Sequence, residues 1–459
     1  MQVPLFGGTA KGLSFAMSPM VFENCYEVPA WGTRNTAAII GSPGTDLLAT
    51  GAGACRGVVV AQSVPYFVSG TTLYQMSSSY ALTSRGTVAG AGRVSMAVGD
   101  TQIVIVTGVG GTGYVYTIAT NTLAAISDAD FTGADTVTYQ DGYFIFSDGT
   151  NQWFISEIDD GSVYSALDFV SNERSPDKTL AVISDHAEVF CFGQETIEVW
   201  INAGELDFPF IRNNAAAIER GTCAKFSIAK DDNSIFFLGN DRIVYRLEGY
   251  TPVRVSSDAV DTDLCRYTEA QIGEAFAFVY TDHGHKFYVL TVPGYATHVL
   301  NIATGSWHKR KKYTYDYWHL NTHVWAYGKH ICGSSIDGKI FELNRSFYDD
   351  DGDTLILKHI SNITHDQGRR FAIPKIQYII ESGVGLATGQ GSAPVLMMRL
   401  SKDDGRTYGV QHHLPMGVMG DYGQKCIKRT CGSARTLCIE TTISDPVKRV
   451  IVDAYIEAA

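Results

Sequence analysis

The chain has 459 residues, of which 45% are hydrophobic, 11% aromatic and only 18% charged. A disordered chain needs high charge and few aromatic residues, so this composition excludes one. The net charge of −12 disfavours a protein that neutralises many phosphates of a nucleic acid. The 46 glycines, together with many aromatic and β-branched residues, favour an all-β fold.

The first 40 residues are too few for a domain. We expect residues 1–40 to form an N-terminal arm that packs on the body of the protein or on a neighbouring subunit. They lack the basic start and apolar run of a signal peptide, and no stretch of about 18 apolar residues occurs anywhere, so we expect no membrane insertion. The nine cysteines are odd in number and scattered, which predicts reduced thiols in a chain folded in the cytoplasm.

A hairpin pattern recurs through residues 41–345. Each unit has an apolar run, a polar or glycine-rich turn and a second run that contains a large apolar residue. These second-run residues are Tyr74, Tyr116, Phe154, Trp200, Tyr245, Leu300 and Phe341. Their mean spacing of about 44 residues predicts a β-propeller of six or seven blades, because one blade needs four short strands and their turns. A β-sandwich or β-solenoid with evenly spaced hairpins is the alternative.

Residues 346–459 begin with a polar break and then alternate apolar and polar residues, which predicts a small antiparallel β-sandwich. In the break, Asp349, Asp351 and Asp353 alternate as carboxylates do in a calcium loop. However, Gly352 is misplaced for such a loop, and a solvated linker is the better interpretation. Gly108–Gly113 fits a GxGxxG phosphate-binding pattern, but a strand follows it where that pattern needs a helix. We therefore expect no catalytic residue, no metal and no cofactor.

Two further motifs predict contacts. Lys309, Arg310, Lys311 and Lys312 form a basic run among aromatic residues, which suits either nucleic acid or an acidic neighbouring subunit or partner. We favour the subunit or partner contact.

The second motif is an Asp-box-like turn. It comprises Ser401, Asp403, Gly405, Thr407 and Tyr408. The Asp403 carboxylate can accept N–H groups of the turn, and Gly405 permits a positive φ. This motif predicts a structural turn without chemistry.

Several segments, in this order along the chain, resemble the tail-hub or nozzle proteins of short-tailed bacteriophages, which are also called packaged-DNA stabilisation proteins. The resembling segments are residues 89–97, 152–166, 192–199, the Asp-box turn, 420–423 and 444–446. The resemblance implies a structural virion protein that forms a ring, expected to be a homo-hexamer, below the portal and the head-to-tail adaptor ring. Such a ring would enclose the exit channel of double-stranded DNA, retain packaged DNA and carry tailspikes or tail fibres.

The same resemblance implies a tail needle or plug at the tip, no specific DNA binding in the lumen and no catalytic residues. The protein would be folded in the host cytoplasm and located in the virion tail. Two other classes compete with this interpretation. The Asp box and the aromatic residues suit a propeller glycosidase of the sialidase type, and a monomeric propeller could bind a peptide or a sugar.

Overall fold

A computed structural model gives the structure of the chain and describes residues 1–11, 14–29, 37–172, 177–205, 208–216, 218–231 and 233–457. Strands dominate it, as the composition predicts. Four strands precede the first complete sheet: β1 (Val21–Glu23), β2 (Cys25–Pro29), β3 (Ala37–Gly41) and β4 (Gly44–Thr50).

Seven four-stranded antiparallel blades follow along the described part of the chain, six of them as separate sheets and blade 6 as part of a ten-stranded sheet. The strands of blades 1 to 3 are β5 (Cys55–Ala61), β6 (Val64–Ser69), β7 (Thr72–Met76), β8 (Leu82–Thr87), β9 (Ser95–Val98), β10 (Gln102–Val106), β11 (Gly108–Val109), β12 (Gly113–Thr117), β13 (Thr122–Ala125), β14 (Gly133–Ala134), β15 (Thr136–Gln140), β16 (Tyr143–Ser147), β17 (Gln152–Glu157) and β18 (Asp160–Ser171). Short β11 and β14 pair only with each other, beside blade 2.

Blades 4 to 7 repeat the pattern. Their strands are β19 (Thr179–Asp185), β20 (Glu188–Gly193), β21 (Ile197–Asn202), β22 (Phe210–Arg212), β23 (Ala229–Asp231), β24 (Ser234–Leu238), β25 (Val244–Glu248), β26 (Thr251–Arg254), β27 (Phe276–Asp282), β28 (His285–Val292), β29 (Ala296–Asn301), β30 (Ser306–Arg310), β31 (Leu320–Ala326), β32 (Lys329–Ser334) and β33 (Lys339–Asn344). Two short helices, α1 (Asp258–Leu264) and α2 (Glu269–Gly273), separate blades 5 and 6.

Blade 7 takes its fourth strand from the N-terminal part of the chain. Strand β4 pairs with β33 from Thr50 opposite Lys339 to Gly44 opposite Asn344. Joining an early strand to the last blade closes the ring, so that each blade buries both faces against its neighbours. The prediction of an all-β propeller is confirmed, and the blade number is seven.

The seven apolar residues that define the sequence repeat occupy the third strand of each blade. The widest spacing, between Tyr245 and Leu300, is explained by the two helices inserted between their blades. Tight turns keep the other blades short. Asp141 and Gly142 form a two-residue hairpin loop with φ of 52° and 91°, the combination that suits the twist of antiparallel strands.

The remaining strands build the predicted sandwich. They are β34 (Leu357–Ile360), β35 (Thr364–His365), β36 (Phe371–Ala372), β37 (Lys375–Ile380), β38 (Val395–Ser401), β39 (His412–Pro415), β40 (Cys426–Arg429), β41 (Ser433–Ala434), β42 (Thr436–Ile443) and β43 (Val450–Glu457). One sheet has the order β1-β34-β42-β38-β39, and the facing sheet has the order β2-β3-β43-β37-β40. Their common core includes Phe22, Ile39, Ile376, Leu396 and Ile439.

The N-terminal segment therefore supplies strands to both sheets of the sandwich. Strand β1 also continues the sheet of blade 6, because Glu23 pairs in parallel with Lys309 of β30. One sheet thus runs from the propeller into the sandwich. Propeller strands begin at Gly44 and end at Asn344. Neither helix in the described ranges is long and apolar enough to cross a bilayer.

The thiols give a direct test of this fold. All nine cysteines lie in the described ranges as free thiols, and Cys265 at the end of α1 is the exposed one. Burial raises the pKa of Cys223 and of Cys426 to about 12 and so lowers their reactivity further. We expect iodoacetamide to label Cys265 first in the native protein, and all nine thiols after denaturation without reductant, as counted by mass spectrometry.

The Cys265→Ser variant is the control and should lose the fast label alone. A pair of residues that stays unlabelled in the denatured, unreduced protein would reveal a disulfide and contradict the structure.

Candidate functional site

A central channel runs through the propeller along the innermost strands of all seven blades. It encloses a cavity of about 320 Å³ lined by residues of β5, β9, β15, β19, β23, β27 and β31 or directly beside them. The chain places mostly small and β-branched residues here, such as Gly57, Ser95, Thr136, Ala181 and Thr322, because seven inner strands converge on one axis. The cavity is within the size range of small-ligand sites.

Among the described residues, the lining of this channel is basic and carries no carboxylate. Its cations are Arg93, Lys225 and Lys230, and the Nζ atom of Lys225 lies 2.7 Å from a carboxylate oxygen of Asp135 behind the lining. Burial, with His330 nearby, lowers the pKa of the lining residue His323 to about 3, so this imidazole adds no charge at neutral pH. The channel can attract anions, but its described lining lacks the paired carboxylates that most glycoside hydrolases use.

The acidic residues are concentrated elsewhere, on blades 2 and 3. Between Val94 and Asn172 the sequence has no Lys, Arg or His. It has ten carboxylates there: Asp100, Asp128, Asp130, Asp135, Asp141, Asp148, Glu157, Asp159, Asp160 and Asp168. All ten are at least partly exposed. Two adjacent blades thus carry −10 of the net charge of −12, and the rest of the chain carries only −2.

The predicted basic run lies at the seam between blade 6 and the sandwich. Its three lysines pair with carboxylates of the same chain, Lys309 with Asp263 of α1 at 2.6 Å, Lys311 with Glu23 of β1 at 3.2 Å, and Lys312 with Asp353 at 2.9 Å. Burial alone would raise the pKa of Asp263, but hydrogen bonds from His298 and Lys309 lower it well below its usual range. These pairs tie the seam together, and the expected subunit or partner contact of the lysines stays a prediction.

Arg310 of the same run differs because only 2% of its surface is exposed. Its guanidinium donates to the Pro43 carbonyl, lies 3.9 Å from the Asp350 carboxylate and covers the Trp318 ring at 4.4 Å. A buried side chain cannot contact a partner, so within this chain Arg310 fastens the residue before the closing strand β4.

A second buried guanidinium, that of Arg449, lies near Arg310 and Asp350. Arg449, which precedes β43, donates to the carbonyls of Leu355 and Ser42. Burial lowers the pKa of Arg449 to about 10, with a further lowering by the charge of Arg310 and an opposing effect of Asp350. We call Arg310, Asp350 and Arg449 the ionic junction. It connects the propeller, the linker and the sandwich.

The Asp-box-like turn follows β38. The Asp403 carboxylate accepts hydrogen bonds from the Ser401 hydroxyl at 2.6 Å and from the Thr407 backbone N–H at 2.9 Å. These bonds from Ser401 and Thr407 lower the pKa of Asp403 to about 2. The ionised form therefore stabilises the turn above the ordinary value of 3.8, and this contribution is lost as the pH falls through 2.

Gly405 has a φ of +84°, the positive value that the turn argument requires, and its N–H donates to the Ser401 hydroxyl at 2.9 Å. The Tyr408 ring is half-buried under the Arg399 guanidinium, 5.4 Å away. The turn therefore packs on its own strand and on Pro19 of the N-terminal segment, which lies where a Cβ at Gly405 would extend. Its position in the sandwich separates it from the propeller channel.

The structure does not bring the predicted residues into one site: the basic run is at the seam, and the Asp-box turn is in the sandwich. Glycines 108 to 113 lie on short strands and their turn, as expected. Among the described residues, no group of three or more His, Cys, Asp or Glu side chains could hold a metal ion.

Sequence reasoning missed the basic channel and the acidic blades. The absence of Lys, Arg and His between Val94 and Asn172 is visible in the sequence and could have indicated the acidic blades. No sequence pattern indicates the basic channel.

Residues 1–348 match the model of the protein family described as "Bacteriophage P22 Gp10, beta-propeller". No curated protein sequence matches the chain. Similar solved structures include the computationally designed Ika8 protein, 13% identical, with a TM-score of 0.41 over 75% of this chain and 100% of that one. The WD40 β-propeller domain of Doa1 is also 13% identical, with a TM-score of 0.41 over 65% of this chain and 97% of that one.

The ionic junction predicts that replacing two nearby carboxylates, Asp350 and Asp353, changes the stability of the protein by very different amounts. Asp350→Ala leaves the buried guanidinium of Arg310 without the carboxylate that lies 3.9 Å away, and we expect it to lower the free energy of unfolding by about 3–5 kcal/mol. Asp353→Ala, the control, removes only the exposed partner of Lys312 and should lower it by roughly 0–1 kcal/mol. Urea denaturation of both variants measures the difference, and equal effects would contradict the role assigned to Asp350.

The Asp-box turn predicts that the same substitution, glycine to valine, destabilises the protein at Gly405 but not at Gly409. In Gly405→Val the side chain must adopt a positive φ and meet Pro19 Cβ, which lies 2.7 Å from the new Cβ position, so we expect a loss of roughly 1–3 kcal/mol. At Gly409 the φ is not positive and the nearest atom is 3.6 Å from a new Cβ, so Gly409→Val should be close to neutral. Thermal unfolding of both variants decides the point.

Proposed function

This chain belongs to the Bacteriophage P22 Gp10 β-propeller family, and from this membership we propose that it forms a ring in a phage tail and retains packaged DNA. The observation that carries the proposal is the match over residues 1–348, which includes every strand of the propeller. The ring is a homo-hexamer below the portal and the adaptor ring, and it encloses the DNA exit channel.

The charge distribution supports an orientation of the subunit in such a ring. A wall of Lys and Arg would hold DNA phosphates at many points and slow its exit, whereas a wall of carboxylates repels them. Blades 2 and 3 present ten carboxylates and no cation, and in a closed ring every subunit turns the same face to the axis. We assign blades 2 and 3 to the lumen wall. Their repulsion acts over a Debye length of about 8 Å at physiological ionic strength.

Two loops of the sandwich are suited to contact another tail protein, such as the adaptor, a tailspike, a fibre or a plug. Leu386, Val418, Met419 and Tyr422 are exposed on the loops 381–394 and 416–425. The backbone hydrogen bond from Gly420 to the Gly383 carbonyl, 3.1 Å long, joins the two loops. Exposed apolar residues that lie together commonly mark a protein interface.

The competing enzyme class has less support from the site. A sialidase-type glycosidase places its acid and base residues at the propeller centre, and the described lining of this channel includes no Asp, Glu or Tyr. The single Asp-box turn lies in the sandwich, where it cannot shape that centre. We therefore assign the protein a structural role in the virion tail.

Electron microscopy and native mass spectrometry of the purified protein, alone and with the adaptor, test the ring. We expect closed six-membered rings with blades 2 and 3 on the inner wall. A protein that stays monomeric under both conditions, or one that hydrolyses a sugar substrate, would overturn the proposal.

Charge reversal tests the orientation separately. Asp100→Lys combined with Glu157→Lys should make assembled rings retain linear double-stranded DNA at low salt, because both side chains are exposed on blades 2 and 3. Asp46→Lys with Glu269→Lys, the same charge change on exposed positions of β4 and α2, is the control and should leave DNA unbound. Retention by both pairs, or by the control alone, would place another surface on the lumen.

A further inference from the structure

The basic channel of the propeller contains a cation that has no counter-ion among the residues described by the structure. Arg93 lies two residues before β9, at the end of the channel where the inner strands begin. Its Nη1 donates to the Asn321 carbonyl at 3.0 Å, and this is its one hydrogen bond to the described residues. By contrast, the guanidinium of Arg56 in blade 1 donates to four backbone carbonyls. The Nε and Nη2 edge of Arg93 therefore stays free to bind a ligand.

Two aromatic rings fix the plane of this guanidinium. Its central carbon lies 4.7 Å from the ring centre of Phe276 and 5.5 Å from that of Phe226. Phe226 and Phe276 are themselves joined by a parallel bridge between blades 5 and 6. Stacking on these rings holds the guanidinium in place while its edge stays open, as a preorganised recognition group requires.

The surroundings leave the positive charge uncompensated. The carboxylate of Asp135 pairs with Lys225, at 2.7 Å, and not with Arg93. The third cation of the lining, Lys230, donates to the Ser184 carbonyl, also at 2.7 Å. Burial lowers the pKa of Arg93 to about 10. The guanidinium nevertheless stays charged at neutral pH, and an anion that enters the channel would restore the balance.

We propose that the central channel binds a carboxylate, held in a two-point contact by the free edge of Arg93. A planar carboxylate matches the geometry of the guanidinium fork, whereas a spherical chloride does not. The cavity of about 320 Å³ admits a small organic acid or one acidic side chain of a partner chain. This site is independent of the tail-ring proposal, because it needs only the folded propeller.

Isothermal titration calorimetry and thermal unfolding of the full chain test the site with two probes. One is succinate, a free acid, and the other is a blocked tripeptide, acetyl-Gly-Asp-Gly-amide, which presents a side-chain carboxylate. Sodium chloride at equal ionic strength is the reference. We expect at least one probe to bind and to raise the unfolding temperature, and the probe that binds more tightly identifies the source of the carboxylate.

Three variants locate the binding. Arg93→Gln keeps a donor for the Asn321 carbonyl but loses the fork, and should weaken binding at least about tenfold. Arg93→Lys keeps the charge and should lose the preference for carboxylate over chloride, which provides the test if the glutamine variant does not fold. Arg85→Gln removes a half-buried arginine that pairs with Gln75 on the outer part of blade 1, and should bind as the wild type does.

No heat and no shift with either probe would overturn the proposal. Unchanged binding in both Arg93 variants would also overturn it, because the ligand would then lie elsewhere. Neither outcome bears on ring assembly, which native mass spectrometry measures separately.

Discussion

The ionic junction is the constraint on which the arrangement of this molecule depends. Removing three charged groups from water is unfavourable by several kcal/mol for each ion unless their hydrogen bonds are made. Those bonds run from Arg310 and Arg449 to the carbonyls before β4, in the linker and beside β3. Ring closure and docking of the sandwich are therefore energetically coupled, because both are needed to bring these carbonyls to the buried guanidiniums.

The repeat was predictable because the residues that make a blade are close in sequence. Each third-strand residue, such as Tyr116 or Trp200, lies in the same hairpin as its neighbours, so the pattern of apolar runs and turns repeats with the blade. The role of the first 40 residues was not predictable in this detail. Strand β1 has three residues and pairs with β30 and β34, far away in the chain, so no local pattern indicates its partners.

The candidate sites show the same division between local and distant information. The turn around Asp403 could be anticipated with its positive φ, since all its hydrogen bonds join residues within four positions. The environment of Arg93 could not, because its carbonyl and aromatic neighbours come from blades 5, 6 and 7. The net charge also gives no indication of where the acidic and basic regions lie. A chain of −12 concentrates its carboxylates on two blades and keeps an uncompensated guanidinium on the propeller axis.

The topology imposes an order on biosynthesis. Strand β4 leaves the ribosome early, but its neighbour β33 and the Asp350 partner of Thr45 follow about 300 residues later, as the separation of 305 between that pair shows. At about 5–20 residues per second, this strand waits roughly 15–60 s without its hydrogen-bonding partners. The blades between them complete their hairpins meanwhile, so the nascent chain forms an open arc of sheets that leaves a blade face uncovered at each end. Both faces become covered only when β33 has been made and can pair with β4.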